Sequence, residues 1–359
     1  MKMFTKFSSS RFLGMAFAFL QKFKQQRIHT FSLLFALGLS LTLAISACSP
    51  SASNNGTTQT ASPNPVASGT TIRIGYQKAS TVLYALKARE ELEKAFATSG
   101  SSVTWSEFPA GPPMLEALNA GSIDFGYTGE SPPIFAQAGG IPLVYVAYDP
   151  WSPKAEAIVV PKDSPIKSVA ELKGKKVAFA KGSNANYLLV KALEKAGIQY
   201  SDIQPATLPP ADARAAFEGK KVDAWAIWDP YLAAAEAATG AHILADATEL
   251  APNRGYYLAA KSFVDAKPDV LKIVLDRVKK VSDWAKNNPS EVAKLLSPAL
   301  GIDAPVLEIA EKRREYDVLP LTDEVITKQQ EIADTFYKIK LIPKEIKVKE
   351  IVWQGKVNN

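Results

Sequence analysis

The feature that most constrains this 359-residue chain is a regular alternation of short apolar runs with segments of helical periodicity. Ile72 to Gln77 alternates as a strand, and Ala79 to Ala97 follows with apolar residues at helical spacing. The same succession continues as far as the short apolar run from His242 to Leu244. Strands that alternate with helices predict an α/β fold with mostly parallel sheets flanked by helices. In such sheets ligands bind at the carboxyl ends of the strands.

An internal repeat indicates that two lobes share this build. Leu115 to Asp124 reads as a helix, a polar turn and the start of a strand, and Ala215 to Asp223 reads in the same way. Each copy runs on into a second polar turn, Thr128-Gly129 in the first and Asp229-Pro230 in the second. Two lobes whose strand ends face a shared cleft predict a binding protein that closes by a hinge.

One strand–turn–helix unit is the strongest local candidate for anion binding. Lys175 to Ala180 reads as a buried strand, the polar turn Gly182-Ser183-Asn184 follows, and a helix from Tyr187 stops at Gly197. Such a turn leaves main-chain N–H groups without intrahelical partners at the helix N-terminus, where an anion is readily held. Ordinary helix capping is the alternative interpretation of this turn taken alone.

The first 47 residues predict a lipoprotein signal peptide. They carry six basic and no acidic side chains, and the apolar run from Thr30 to Ile45 is shorter than a typical membrane span. The run ends at Ser46-Ala47-Cys48, which resembles the acylation site of bacterial lipoproteins. Cys48 is the only cysteine in the chain, so lipidation of its thiol is the simplest use of it. The alternative is an N-terminal transmembrane anchor.

The small polar residues of positions 48–70 predict a flexible tether, because they cannot form a core. The lobes then divide the remaining chain. We expect the first lobe at 71–160 and the second lobe at 161–253. Residues 254–359 return to the first lobe and end in C-terminal helices.

Charge and composition exclude several function classes. Because the leader holds six of the 42 basic residues, the rest of the chain carries 36 basic and 36 acidic side chains. No basic field remains to bind nucleic acid. The two histidines are His29 and His242, and the sequence contains no metal-ligand cluster, phosphate-binding loop or dinucleotide fingerprint. We therefore predict a binding protein without metal or cofactor, not an enzyme.

Several separate blocks between Ile72 and Trp353 resemble the aliphatic-sulfonate-binding proteins of bacterial ABC importers. The blocks are Ile74–Lys78, Glu107–Pro112, Met114–Asn119, Pro132–Ala138, Ser164–Lys167, Lys175–Phe179, Pro210–Phe217 and Val222–Tyr231, of which the last is the most specific. The resemblance implies a two-lobed periplasmic-binding-protein fold of type II with the ligand in the interlobe cleft. It also implies a lipid-anchored monomer, in the periplasm or on the outer face of the cytoplasmic membrane, that delivers sulfonates to an ABC permease for sulfur acquisition.

The resemblance also assigns the substrate-binding residues. They are Gln77, Thr128, Gly129, Ser183 and Asn184 for the anion, with Trp228 and Asp229 of the second lobe lining the cleft. Because Trp225 and Trp228 are three positions apart on one strand, one of them faces the core and the other the cleft. A neutral set of N–H and hydroxyl donors suits the single permanent charge of a sulfonate. Phe108 and Ala110 are expected to accept an alkyl tail together with Trp228.

Other functions remain open at this stage. Proteins of the same family could instead bind taurine, nitrate or a thiamine-pyrimidine precursor. Taurine needs an acidic partner for its ammonium group, which Glu130 or Asp229 could supply. Nitrate needs a smaller site. Two further classes are an enzyme built on the same fold and the effector domain of a transcription factor. The missing catalytic chemistry disfavours the first, and the lipidation signal at the N-terminus disfavours the second.

Overall fold

Ten strands form two five-stranded sheets in the computed structural model, which describes residues 69–355. The strands are β1 (Thr71–Gln77), β2 (Ser102–Phe108), β3 (Phe125–Gly129), β4 (Leu143–Tyr148), β5 (Glu156–Val160), β6 (Lys176–Phe179), β7 (Gln204–Thr207), β8 (Ala224–Trp228), β9 (His242–Asp246) and β10 (Gly255–Ala260). The predicted signal peptide and most of the predicted tether lie outside the described residues.

Twelve α-helices of this part of the chain flank the two sheets. They are α1 (Thr81–Ala88), α2 (Glu91–Phe96), α3 (Gly111–Asn119), α4 (Ser131–Ala138), α5 (Asn184–Lys195), α6 (Pro210–Glu218), α7 (Tyr231–Thr239), α8 (Lys261–Ala266), α9 (Pro268–Asn287), α10 (Pro289–Leu300), α11 (Ala304–Lys312) and α12 (Asp323–Lys338). None of the helices between residues 69 and 355 is long and apolar enough to cross a membrane.

The two sheets have the same strand order. The first reads β2-β1-β3-β10-β4 and the second β7-β6-β8-β5-β9. In each sheet the fourth strand, β10 or β5, is antiparallel to both of its neighbours, and the other four strands are parallel to one another. The structure therefore has the mostly parallel sheets and the two related lobes that the alternation and the repeat predict.

The aspartates of the internal repeat have the same structural role in both lobes. Asp124 accepts a hydrogen bond from the main-chain N–H of Arg73 on β1, at 2.9 Å. Asp223 accepts one from the main-chain N–H of Lys176 on β6, at 2.7 Å. Each carboxylate thus pairs the strand N–H that directly precedes the pairing of β1 with β3 or of β6 with β8, which explains why the repeat ends in aspartate.

The position of β5 differs from the expected lobe boundary. We expected Ala157–Val160 to belong to the first lobe, but β5 pairs with β8 and β9 in the second sheet. The chain therefore crosses between the sheets before Glu156 and not after Val160. The physical reason is that a buried apolar strand carries no local mark of its partner, because its neighbours in the sheet are distant in sequence.

The helices also differ from the predicted spans in one place. The predicted helix from Ala79 to Ala97 is two helices, because Glu90 has φ 52° and a left-handed residue interrupts the helical hydrogen bonding. In the C-terminal region the apolar residues Leu271, Val274 and Val278 of α9 recur at helical spacing and are buried.

Three segments run between the two sheets. Residues 149–155 connect β4 to β5, and residues 247–254 connect β9 to β10. The third segment follows α11: Leu319 pairs with Tyr148 of β4 through two main-chain hydrogen bonds of 2.9 and 3.0 Å. On one side the lobes share an aromatic contact in which Phe336 of α12 packs against Phe135 of α4 and Tyr187 of α5.

Candidate functional site

A cavity lies between the two sheets, at the carboxyl ends of their strands. It offers about 70 Å³ to the centres of water molecules. Its walls come from both lobes and from all three connecting segments. They include Gln77, Ser80, Gly111, Tyr127, Thr128, Gly129, Asp149, Ser152, Ser183, Asn184, Trp228, Asn253, Arg254, Arg314 and Glu315.

Four helices begin at this cavity. Ser80 directly precedes α1, Gly111 is the first residue of α3, Gly129 lies two residues before α4, and Asn184 is the first residue of α5. The N-terminus of a helix carries a partial positive charge and main-chain N–H groups without intrahelical partners. Four such ends on one small cavity make its walls favourable to an anion.

Six of the seven predicted substrate-binding residues line the cavity: Gln77, Thr128, Gly129, Ser183, Asn184 and Trp228. Trp228 is half-buried on the cavity wall, whereas Trp225, three positions earlier, is fully buried in the core of the second lobe. Gln77 donates from Nε2 to the main-chain oxygen of Tyr127 at 3.0 Å. Its amide is therefore tied to the neighbouring strand.

The side-chain donors expected from the Ser183-Asn184 turn are used within the protein. Ser183 Oγ donates to the carbonyl oxygen of Ala180 at 2.6 Å. Asn184 Nδ2 donates to Asn253 Oδ1 at 3.1 Å, and Asn184 Oδ1 accepts from the main-chain N–H of Ser131 at 3.3 Å. The N–H groups of Asn184 and its successor have no acceptor among the described residues. The start of α5 therefore offers the main-chain donors expected of such a turn, whereas the side-chain donors are already used.

Asp229, which we predicted to line the cleft, is fully buried and is not part of the cavity wall. Its Oδ1 accepts from the main-chain N–H of Ala233 at 3.0 Å, and its Oδ2 lies 3.5 Å from Nη1 of Arg313. Burial raises the pKa of Asp229 to about 6, although Arg313 and the Ala233 N–H oppose that rise. The carboxylate is turned into the protein because it holds the first turn of α7.

Two arginines that the sequence did not suggest line the cavity. Arg254 is 7% exposed, and its guanidinium lies over the rings of Tyr148 and Trp151, 4.9 and 5.5 Å from the ring centroids. Arg314 donates from Nη2 to the main-chain oxygen of Asp229 at 2.8 Å. Within residues 69–355 neither guanidinium forms a salt bridge with a carboxylate. Because carboxylates lie near these guanidiniums without pairing with them directly, their N–H groups remain suited to an anionic ligand.

Two carboxylates line the same cavity, the half-buried Asp149 and the exposed Glu315. Asp149 accepts hydrogen bonds from the hydroxyl of Tyr127 and the main-chain N–H of Gly255, one on each oxygen. Burial raises the pKa of Asp149 to about 6, while Tyr127, Gly255 and the two arginines oppose the shift. Above that pH the walls carry the positive charges of Arg254 and Arg314 and the negative charges of Asp149 and the exposed Glu315. Two cations that are offset in part by carboxylates suit a ligand with a single negative charge.

Sequence reasoning missed Arg254 and Arg314 because both lie on the connecting segments. Those segments have no strand or helix periodicity, and neither arginine belongs to a block that carried the family resemblance. The adjacent pair Arg313-Arg314 directly after α11 is the one local signal. It becomes informative only when the third segment is known to pass the cleft.

Residues 96–292 match the NMT1/THI5 like family. The chain is 46% identical over 284 residues to an aliphatic sulfonates-binding protein of Escherichia coli (strain K12), which covers 79% of this chain and 88% of that protein. It is 38% identical to the corresponding protein of Bacillus subtilis (strain 168), over 78% of this chain and 85% of that protein. The structure of the alkanesulfonate-binding protein SsuA from Xanthomonas axonopodis pv. citri, bound to MOPS, matches with a TM-score of 0.77 and 42% identity. That match covers 80% of this chain and 99% of the SsuA chain.

Proposed function

We propose, because this chain belongs to the family of aliphatic sulfonate-binding proteins, that it captures aliphatic sulfonates and delivers them to an ABC permease. Capture is binding without chemical change, and the related proteins are likewise binding proteins. The proposal takes the cavity between the sheets as the site and hinge closure of the two lobes as the way in which the ligand is enclosed.

The observation that carries this proposal is a pair of arginines, Arg254 and Arg314, that form no salt bridge within residues 69–355 and lie where four helix N-termini meet. A sulfonate has one permanent negative charge and three acceptor oxygens. The guanidiniums of Arg254 and Arg314 supply charge-assisted donors to those oxygens. The helix ends add main-chain donors. The expected neutral set of donors is thus replaced by a set that includes two cations.

The size and lining of the cavity favour a short alkyl group beside the sulfonate. About 70 Å³ corresponds to roughly five to seven water molecules. A sulfonate group accounts for four heavy atoms, which leaves room for a short tail against Trp228, Pro132 and Ala155. Phe108 and Ala110, which we expected as tail contacts, are not among the residues of the wall.

Taurine and nitrate fit this site less well. Glu130, a suggested partner for the ammonium of taurine, is fully buried outside the cavity wall and accepts from the Arg254 main-chain N–H at 2.9 Å. Asp229 also lies outside the wall, and both oxygens of Asp149 already accept hydrogen bonds. Nitrate, with four heavy atoms, leaves the apolar side of the cavity at Trp228 unfilled.

The proposed setting is the outside of the cytoplasmic membrane, with a monomer attached through a lipid on Cys48. Cys48 and the signal peptide before it lie outside the described residues. Growth of the producing cells with a labelled fatty acid tests the anchor: we expect label on the wild-type protein and none on Cys48→Ser. Equal labelling of both proteins contradicts lipidation at Cys48.

Titration calorimetry on the purified protein tests the ligand. We expect ethanesulfonate and propanesulfonate to bind, taurine to bind more weakly, and sulfate to give no heat, because the carboxylates of Asp149 and Glu315 on the walls disfavour a second negative charge. Nitrate binding above that of every sulfonate would favour the nitrate alternative. No heat of binding from any of the sulfonates would contradict the proposed function.

A further inference from the structure

Arg313, next to the cavity residue Arg314, forms ion pairs that connect the two lobes. Its Nη2 lies 2.7 Å from Glu236 Oε2 and its Nη1 lies 3.5 Å from Asp229 Oδ2. Glu236 belongs to α7, which packs on the second sheet, whereas Arg313 follows α11 in the C-terminal helices of the first lobe. Arg313 itself is not part of the cavity wall.

The two consecutive arginines hold the same residue of the second lobe. Arg313 lies near the carboxylate of Asp229, and Arg314 donates to its main-chain oxygen at 2.8 Å. The Asp229 carboxylate also accepts from the N–H of Ala233, which keeps the turn before α7 in place. We call the four residues Asp229, Glu236, Arg313 and Arg314 the arginine clasp. Through the arginine clasp, contacts outside the cavity hold the Arg314 guanidinium in its position on the cavity wall.

We propose that Arg313 is a positioning residue for the anion site. It holds Arg314 where its guanidinium can contact the ligand, and it does so only while α7 is docked on the segment after α11. The inference rests on the proposed function, since it assumes that Arg314 binds the sulfonate. An arginine side chain has many rotamers, and a fixed neighbour reduces the freedom that it must lose on binding. Anion binding and docking of the lobes then favour each other, because each stabilises the same position of Arg314.

A merely structural role for Arg313 makes a different prediction. In that case its loss lowers the stability of the ligand-free protein and leaves the affinity of the folded protein unchanged. A positioning role instead changes the affinity and the dissociation rate of the ligand. The two roles are therefore separated by comparing ligand binding with ligand-free unfolding in the same variants.

The test uses Arg313→Gln, Glu236→Gln and the double variant, with Lys312→Gln as the matched control. Lys312 is the adjacent cation, and its 2.6 Å pair with Glu308 lies on the exposed face of α11. Ethanesulfonate affinity is measured by calorimetry, and dissociation by stopped-flow tryptophan fluorescence. We expect each single variant to bind about 10-fold more weakly, mainly through faster dissociation. The double variant should be no weaker than the weaker single variant, and the control should match the wild type.

Two results overturn the inference alone: wild-type affinity in Arg313→Gln, or additive losses in the double variant. Wild-type protein that binds no sulfonate overturns the proposed function and, with it, the inference. If Arg313→Gln does not fold by circular dichroism, Glu236→Gln decides the question, because it removes the partner and leaves both arginines in place.

Discussion

The side-chain amide of Asn184 lies directly against the Cα of Gly129, where the start of α5 in the second lobe meets the end of β3 in the first. The same amide reaches Ser131 and Asn253 by hydrogen bonds. Part of the cavity wall is therefore a contact between lobes, built from residues that the sequence suggested as ligand contacts.

Gly129→Ala should destabilise the protein, because a Cβ at this position overlaps with the amide of Asn184. Such overpacking costs about 1–3 kcal/mol of unfolding free energy. Urea unfolding of the wild type and the variant measures the loss. The matched comparison is the same change in an Asn184→Ala background, where the loss should be smaller because the overlapping amide is gone. Equal losses in the two backgrounds would contradict the contact.

Arg314→Lys should weaken sulfonate binding although the charge is kept. The guanidinium donates to the carbonyl of Asp229 and still has further N–H groups for the ligand, whereas an ammonium cannot reproduce this forked geometry. Loss of a hydrogen bond to a charged group costs roughly 1.5–3 kcal/mol. Calorimetry with ethanesulfonate measures the change. Arg277→Lys, in a half-buried 3.6 Å pair with Asp276 on α9, outside the cavity wall, is the control and should keep wild-type affinity.

Trp228→Ala should weaken the binding of longer alkanesulfonates more than that of methanesulfonate. In the wild type each added methylene should contribute about 0.8 kcal/mol until the cavity is filled. The gain should stop once the tail extends past the apolar wall into solvent. Methanesulfonate is the internal control, since its single carbon makes the smallest apolar contact. A uniform loss across the series would mean that Trp228 does not contact the tail.

Stability should fall as the pH rises from about 5 to 8, partly through Glu130. Burial raises the pKa of Glu130 from 4.5 to about 8, although the Arg254 main-chain N–H and the Arg254 charge oppose the rise. In this range the folded protein keeps a proton that the unfolded chain has released, so the unfolding free energy decreases with pH. The slope from one such group is at most about 1.4 kcal/mol per pH unit.

Glu130→Gln tests this decrease of the unfolding free energy with pH, because the variant loses the titrating proton while its amide oxygen can still accept from the Arg254 N–H. Denaturant unfolding at several pH values should show a flatter dependence than the wild type. Some slope should remain, since burial also raises the pKa of Glu156. Glu350→Gln removes an equal charge at an exposed position and serves as the control. An unchanged slope in Glu130→Gln would show that Glu130 does not hold the proton.

The strand–helix alternation and the repeat were sufficient to predict two related α/β lobes. Local sequence carries this information because strand and helix periodicities are properties of short segments. Local sequence could not place β5, since Ala157–Val160 is apolar throughout and the partner strands β8 and β9 lie far away in sequence.

The candidate site was likewise predictable from the sequence only in part. Turns at strand ends and helix starts are visible in sequence, and six of the seven residues chosen there line the cavity. Ser183 shows the limit: its hydroxyl suits an anion by type, yet it donates to Ala180. Which donor remains free depends on the neighbours that folding supplies.

The sequence by itself determined the fold class, the two lobes and the helix starts around the cleft, because each depends on local patterns and turn chemistry. Tertiary structure alone decided the charge of the cavity. Asp149, Arg254 and Arg314 lie on three separate connecting segments, and Asp229 is turned away from the cleft to hold α7 and Arg313. Electrostatic complementarity depends on distances through space, and those exist only once the chain has brought the segments together.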